Sequence, residues 1–214
     1  MRNTPSTNWS VPLQRLARSY ARAARRVLGD NLTSVVLYGS VACDEAHAES
    51  DIDLLIICKQ LPRGIFERNR LLDPVREQVE PRLRRLWARG YRGDFSEILK
   101  TEAEAQYVVP PYLDMTEDAV LLVDRGRFFA QVLDRIRARL KELGAQRKQL
   151  GTVRYWDLKP DFRPGEVIEI RTITTPRTPT CSGRKPFFKR RSIFTSRGYG
   201  TLWSAAPRKR WNSR

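Results

Sequence analysis

"VVLYGSVACDEAHAESDIDLLIIC", Val35 to Cys58, is the stretch whose reading decides the fold of this chain. Val35–Tyr38 and Ile52–Cys58 are short apolar runs rich in β-branched and aromatic residues, and they read as strands buried on both faces. Between them lie Gly39-Ser40, a short acidic, Ala-rich loop, and Asp51-Ile52-Asp53. Side chains at i and i+2 of a strand share a face, so Asp51 and Asp53 project together while Ile52 turns into the core. Carboxylates held that close repel unless a cation lies between them. Oxygen-only ligands suit Mg2+ or Mn2+, which are held by one or two carboxylates plus substrate phosphates. Gly39 lets the backbone approach a phosphate and the Ser40 hydroxyl can donate to it. The pattern further predicts a tight turn into a short helix whose N-terminus favours an anion. A phosphate grip facing a metal pair is equipment for in-line phosphoryl or nucleotidyl transfer.

The flanks supply the layers around these strands. Residues 11–28 place Leu13, Leu16, Tyr20, Ala24 and Val27 at three- and four-residue spacing with arginines between them, an amphipathic helix that Gly29 ends. Leu71, Leu72, Val75, Val79, Leu83, Leu86 and Trp87 repeat at helical spacing over about 66–89, with Pro74 and Pro81 expected to kink or divide the helix. Phe95–Lys100 reads as a third strand, Thr101 with Glu102 and Glu104 starts a short helix, and Val120–Val123 reads as a short strand. Arg127–Leu143 is an amphipathic helix ending at Gly144. "RYWDLKPDFRPGEVIEI" is expected to run extended and to pack Tyr155 and Trp156 back on the body. The order helix, strand, strand, helix, strand, helix indicates an α/β domain with a small mixed sheet.

With 214 residues, 41% of them hydrophobic, the chain is long enough for one sizeable core or a domain plus an appendage. No run reaches the 18 or more apolar residues of a membrane span, and "MRNTPSTNWSVPLQRL" lacks the apolar stretch of a signal peptide, so the chain is expected in the cytoplasm. Cys43, Cys58 and Cys181 are widely spaced and form no CxxC, so neither a disulfide framework nor a zinc site is indicated. His47 is the single histidine and reads as a loop residue, which argues against a Ser-His-Asp triad. The arginines of the long helices read as a solvated face, and Trp87 and Trp156 as packing residues rather than base-stacking platforms.

Gly39-Ser40, ten residues from Val41 to Ser50, then Asp51-Ile52-Asp53 resembles the GSx10DxD signature of minimal nucleotidyltransferases in the DNA polymerase beta superfamily. The resemblance covers roughly residues 11–124, and the "YWDLKPD" region is similar to extensions on some bacterial and archaeal members. It implies a nucleotidyltransferase (DNA polymerase beta-like) α/β fold, a small mixed sheet flanked by helices, with a C-terminal helical extension. The domains expected are a nucleotidyltransferase domain over 1–124, a C-terminal helix and extended Pro-rich segment over 125–170 and, by its composition, a separate basic tail over 171–214. It also implies a Mg2+-dependent (or Mn2+-dependent) enzyme that moves a nucleoside monophosphate, AMP from ATP, onto a hydroxyl with release of pyrophosphate. Asp51 and Asp53 would hold two Mg2+ ions, and Gly39 and Ser40 would orient the β- and γ-phosphates. The family adds a third carboxylate from a neighbouring strand; Glu97 has the expected position on the third strand and Asp94, just before it, is the alternative.

The net charge of +16 is unevenly distributed: residues 171–214 carry twelve Lys/Arg and no Asp or Glu, and the other 28 Lys/Arg face 24 Asp/Glu in residues 1–170. One reading of the tail is a disordered basic arm for nucleic acid. The other is an out-of-frame translation. Read from the third base of the Gly200 codon, the codons permit "DVVVRRSQEAVELA", an amphipathic pattern that resembles a helix of HEPN-domain proteins, whose genes often adjoin those of minimal nucleotidyltransferases. Together these readings imply an antitoxin that transfers AMP to a HEPN ribonuclease encoded next door. The alternatives are a small-molecule (aminoglycoside-like) or RNA nucleotidyltransferase, and a non-catalytic toxin- or nucleic-acid-binding module.

Overall fold

A computed structural model describes residues 8–151, 153–163, 166, 168 and 170. The readings made for residues 171–214, and Cys181 with them, lie outside the described residues. Helix α1, Ser10–Leu28, buries Leu13, Leu16, Ala17, Tyr20, Ala21 and Ala24, while Arg15, Arg18, Arg22, Arg25 and Arg26 face outward. Arg25 and Arg26 fall in its last turn, where a cation complements the negative end of the helix dipole. Gly29, at φ 53°, takes the chain out of the helix.

Strands β1 (Leu32–Tyr38), β2 (Ile52–Cys58), β3 (Phe95–Thr101) and β4 (Val120–Asp124) form one sheet in the order β3-β2-β1-β4. β1 pairs antiparallel with both β2 and β4, whereas β2 and β3 run parallel. A parallel pair cannot be joined by a hairpin, and helices α2 (Ile65–Arg70) and α3 (Asp73–Trp87) provide the crossover. The helical stretch expected to kink or divide at its prolines is divided at Leu71–Leu72, just ahead of Pro74, which sits in the first turn of α3, where its missing N–H costs nothing. Pro81 does not divide α3, whose buried Val75, Val79, Leu83 and Leu86 keep one face on the core on both sides of it.

Helices cover both faces of the sheet. On one face, Leu32, Val35, Leu37, Ile52, Leu54, Ile56 and Cys58 pack in one cluster with residues of α1 and α3. On the other, Val36, Leu55 and Ile57 pack with α5 (Pro111–Asp118) and α6 (Phe128–Leu143), through Tyr112, Met115, Phe129, Val132, Leu133 and Ile136. The short helix expected after Thr101 is α4, Glu102–Ala105, and it carries a capping box between Thr101 and Glu104. No helix among the described residues is long and apolar enough to cross a membrane.

Two features depart from the expectation. α5 has only two turns and a weak apolar stripe, so its helical period is hard to see in the sequence. The Pro-rich segment begins as a hairpin of β5 (Gln146–Leu150) and β6 (Val153–Asp157), paired antiparallel in a second, two-stranded sheet. Register pairs Arg147 with Trp156 and Gln149 with Arg154, so these four residues share a hairpin face. Trp156 packs on the α5/α6 cluster and its Nε1 donates to Asp114 at 3.0 Å. Tyr155, expected to pack inward, lies on the opposite hairpin face and is exposed.

Candidate active site

The end of β1 and the start of β2 meet at Gly39. Tyr38 pairs with Asp53 across the two strands, which brings the turn directly onto the Asp53 carboxylate. Gly39 has φ +72°, and a Cβ built on it would lie 2.4 Å from Asp53 Oδ2. Both conformation and contact therefore demand glycine. Beyond it, the N–H groups of Ala42 and Cys43 donate to the Gly39 carbonyl and that of Glu45 to the Ser40 carbonyl. This is a hydrogen-bonded turn over residues 40–44 rather than the expected helix. The Ser40 hydroxyl has no hydrogen-bond partner among the described residues and is only half-buried, which leaves it available to a ligand. Val41 is buried beneath the turn, and the Gln14 side chain bonds both its carbonyl and Asp44, pinning the loop to α1.

The Asp-Ile-Asp segment is braced from the loop before β3. The buried Tyr91 hydroxyl donates to the Ser50 carbonyl at 2.7 Å, and a Cβ on Gly93 would lie 2.3 Å from that same carbonyl oxygen. The Asp94 N–H donates to Asp51 Oδ1 at 3.0 Å. Asp51 is exposed and Asp53 half-buried. Burial raises the Asp53 pKa above the usual carboxylate value; the hydroxyl of Ser96 opposes this by hydrogen bonding, and the charge of Asp51 adds to it. Burial, and then the Asp53 charge, push the Tyr38 phenol up to about 12. Neither Asp51 nor Asp53 pairs with a Lys or Arg among the described residues.

Glu97 is not part of this arrangement. It pairs in register with Leu54, which faces α1 and α3, whereas Asp53 pairs with Ser96 on the opposite face of the sheet. Its Oε1 accepts from the Tyr20 hydroxyl at 2.8 Å and from Arg76 Nε at 3.0 Å, and its Oε2 from Arg76 Nη2 at 2.8 Å. The side chain is 8% exposed. Burial, reinforced by Glu97, drives the Tyr20 phenol far above its ordinary value. Glu97 thus joins α1, α3 and β3 from the face of the sheet opposite Asp53, not beside the two aspartates where a third carboxylate and metal ligand was expected. Asp94, the alternative, lies near Asp51 but turns its Oδ1 to the Phe95 N–H at 2.7 Å. Among the described residues no group of three or more His, Cys, Asp or Glu is arranged to hold a metal. His47 lies exposed in the loop, its Nδ1 accepting from the Glu49 N–H.

Strand period could have excluded Glu97 from the sequence: with Phe95 and Leu99 turned toward α1 and α3, Glu97 must follow them and Ser96 must oppose them. The apolar Ile98 on the other face hides this, because both faces of the sheet are covered. The hairpin arginines carried no such signal. Arg154 ion-pairs with Glu45 in the loop after Ser40, and Arg147 with Glu117 and Asp118 at the end of α5.

Gly39→Ala is expected to weaken binding of any ligand held between this turn and Asp53 at least about tenfold, because the methyl group must displace the Asp53 carboxylate. The positive φ costs a further ~1–2 kcal/mol of stability. Isothermal titration alongside thermal unfolding measures both.

Residues 21–108, a span containing the Gly-Ser turn, both aspartates and β3, match the family model described as a nucleotidyltransferase domain. A Methanocaldococcus jannaschii protein provisionally named a protein adenylyltransferase is 27% identical over 133 residues, which are 61% of this chain and 85% of that protein. Among solved structures, a toxin–antitoxin determined with AMP-PNP aligns with TM-score 0.39 at 12% identity, over 60% of this chain and 92% of that one. A provisionally named nucleotidyltransferase from Sulfolobus solfataricus aligns with TM-score 0.34 at 22% identity, over 57% and 94% of the two chains.

Proposed function

We propose that this chain, which carries a nucleotidyltransferase domain over residues 21–108, transfers AMP from ATP to a hydroxyl of a partner protein with the help of a divalent cation. The observation that carries this reading is the juxtaposition of Gly39 and Asp53: a turn with no side chain lies against a half-buried, cation-free carboxylate that shares a strand face with Asp51. The donor set fits Mg2+ or Mn2+. Both ligands are carboxylates, neither is neutralised by a protein cation among the described residues, and burial and the Asp51 charge both disfavour the ionised form of Asp53 until a positive charge arrives.

Bound there, such a cation would screen the carboxylates and offset charge developing at the α-phosphate. The rest falls to the chain itself. Gly39 lets the β- and γ-phosphates approach the backbone, and the free Ser40 hydroxyl donates to one of their oxygens. The brace from Tyr91, Gly93 and the Asp94 N–H holds Asp51 beside Asp53, so the donor site is ordered before the nucleotide arrives.

A protein acceptor is favoured by the name of the Methanocaldococcus relative, and a HEPN-type ribonuclease encoded beside this chain is the partner that the reading of the tail suggests. The test is incubation of the full chain with ATP labelled at the α-phosphate, Mg2+ and the neighbouring gene product. Label on that protein, lost with Asp51→Ala and Asp53→Ala, is the expected result. Label on added RNA or an aminoglycoside instead would overturn the acceptor, and undiminished label with the double variant would overturn the site.

A further inference from the structure

We propose that the chain itself provides ligands for one divalent cation, through Asp51 and Asp53, and that Ser96 stands where a third carboxylate would complete a second ion site. This rests on the nucleotidyl-transfer reading. β2 and β3 pair in parallel without a register shift from Ile52↔Phe95 to Cys58↔Thr101. Lateral neighbours in such a pair are about 4.8 Å apart and send their side chains to the same face. Position 96 is therefore the place from which β3 can add an oxygen beside Asp53, and positions 95 and 97 face the other way.

A serine at that place is a neutral ligand at best and brings no negative charge to an ion beside Asp53. Several acids of the neighbouring loops and helix ends already have partners. Glu45 pairs with Arg154, Asp118 with Arg147, Asp44 with Gln14, and Asp94 turns its carboxylate to the first amide of β3. An ion arriving with the triphosphate brings phosphate oxygens to complete its shell. A second ion about 3.5–4 Å away, at the attacking hydroxyl, would share two carboxylates already engaged and gain no further negative charge from the protein.

The test counts Mn2+ by electron paramagnetic resonance in the full chain saturated with the α,β-methylene analogue of ATP. One bound Mn2+ per bound nucleotide is expected for the wild type and for Ser96→Ala, and two for Ser96→Asp. In Ser96→Asp, Mn2+ should also raise the melting temperature more than in the wild type, because an added carboxylate beside two others destabilises the ion-free site. Two Mn2+ per nucleotide in the wild type, or a count that stays at one in a folded Ser96→Asp, would overturn the proposal. If Ser96→Asp does not fold, the wild-type count decides the question alone. A wild-type count of two that returns to one in Asp94→Asn would overturn it in favour of Asp94. Failure of the wild type to bind the analogue at all would overturn the nucleotidyl-transfer reading beneath it.

Discussion

Asp53→Asn should lower nucleotidyl transfer by on the order of a thousandfold or more while raising the melting temperature of the ligand-free protein at neutral pH. The two effects share one cause. Burial raises the Asp53 pKa and Asp51 adds repulsion, so the native state binds a proton at this group more tightly than the unfolded chain does. A carboxyl with a raised folded pKa favours folding fully below its unfolded value and loses that contribution as pH rises through the folded one. At neutral pH the ionised side chain is then a cost, which the amide removes. A gain on the order of 1 kcal/mol corresponds to about 2–4 °C for a chain of this size. Mg2+ with ATP should raise the melting temperature of the wild type and leave that of Asp53→Asn nearly unchanged. A variant both inactive and destabilised would instead make Asp53 a structural residue. The pH series checks the sign: the stability difference between the two proteins should shrink as pH falls toward the unfolded carboxylate value.

Glu97→Ala should do the reverse. It leaves the Arg76 guanidinium and the buried Tyr20 hydroxyl without their shared acceptor, at a cost of about 2–4 kcal/mol, or roughly 5–15 °C in melting temperature. Glu97→Gln keeps an oxygen for Tyr20 but loses the charge opposite Arg76, so it should fall between Ala and the wild type. In whatever fraction stays folded at low temperature, both variants should retain the melting-temperature rise given by Mg2+ with ATP, because Glu97 lies on the face of the sheet away from Asp53. Loss of that response without loss of stability would return Glu97 to the metal site.

The contrast shows what could be read along the chain. Gly39, Ser40, Asp51 and Asp53 lie within fifteen residues of one another, and their juxtaposition follows from two adjacent strands and the turn between them. Strand period and the conformational freedom of glycine are local properties, so this half of the site was legible. α1, α3 and α6 were legible for a similar reason, since their apolar residues recur at helical spacing along one segment. α5 and the hairpin were not. Their order comes from Tyr112 and Met115 meeting α6, from Trp156 reaching Asp114, and from Arg147 and Arg154 finding acids about thirty and a hundred residues away.

What the sequence by itself determined, then, is a glycine turn brought against Asp53, a second aspartate one residue away from Ile52, and the layers of helix and strand that hold them. What only the tertiary structure decided is which residue of β3 lies beside them. Glu97 and Ser96 are neighbours in the chain, and either could have faced the pair. The parallel register of β3 on β2 sends one to Asp53 and the other to Arg76. A shift of one residue would exchange their faces, and it would also turn Phe95 and Leu99 away from the α1/α3 side and Ile98 away from the other.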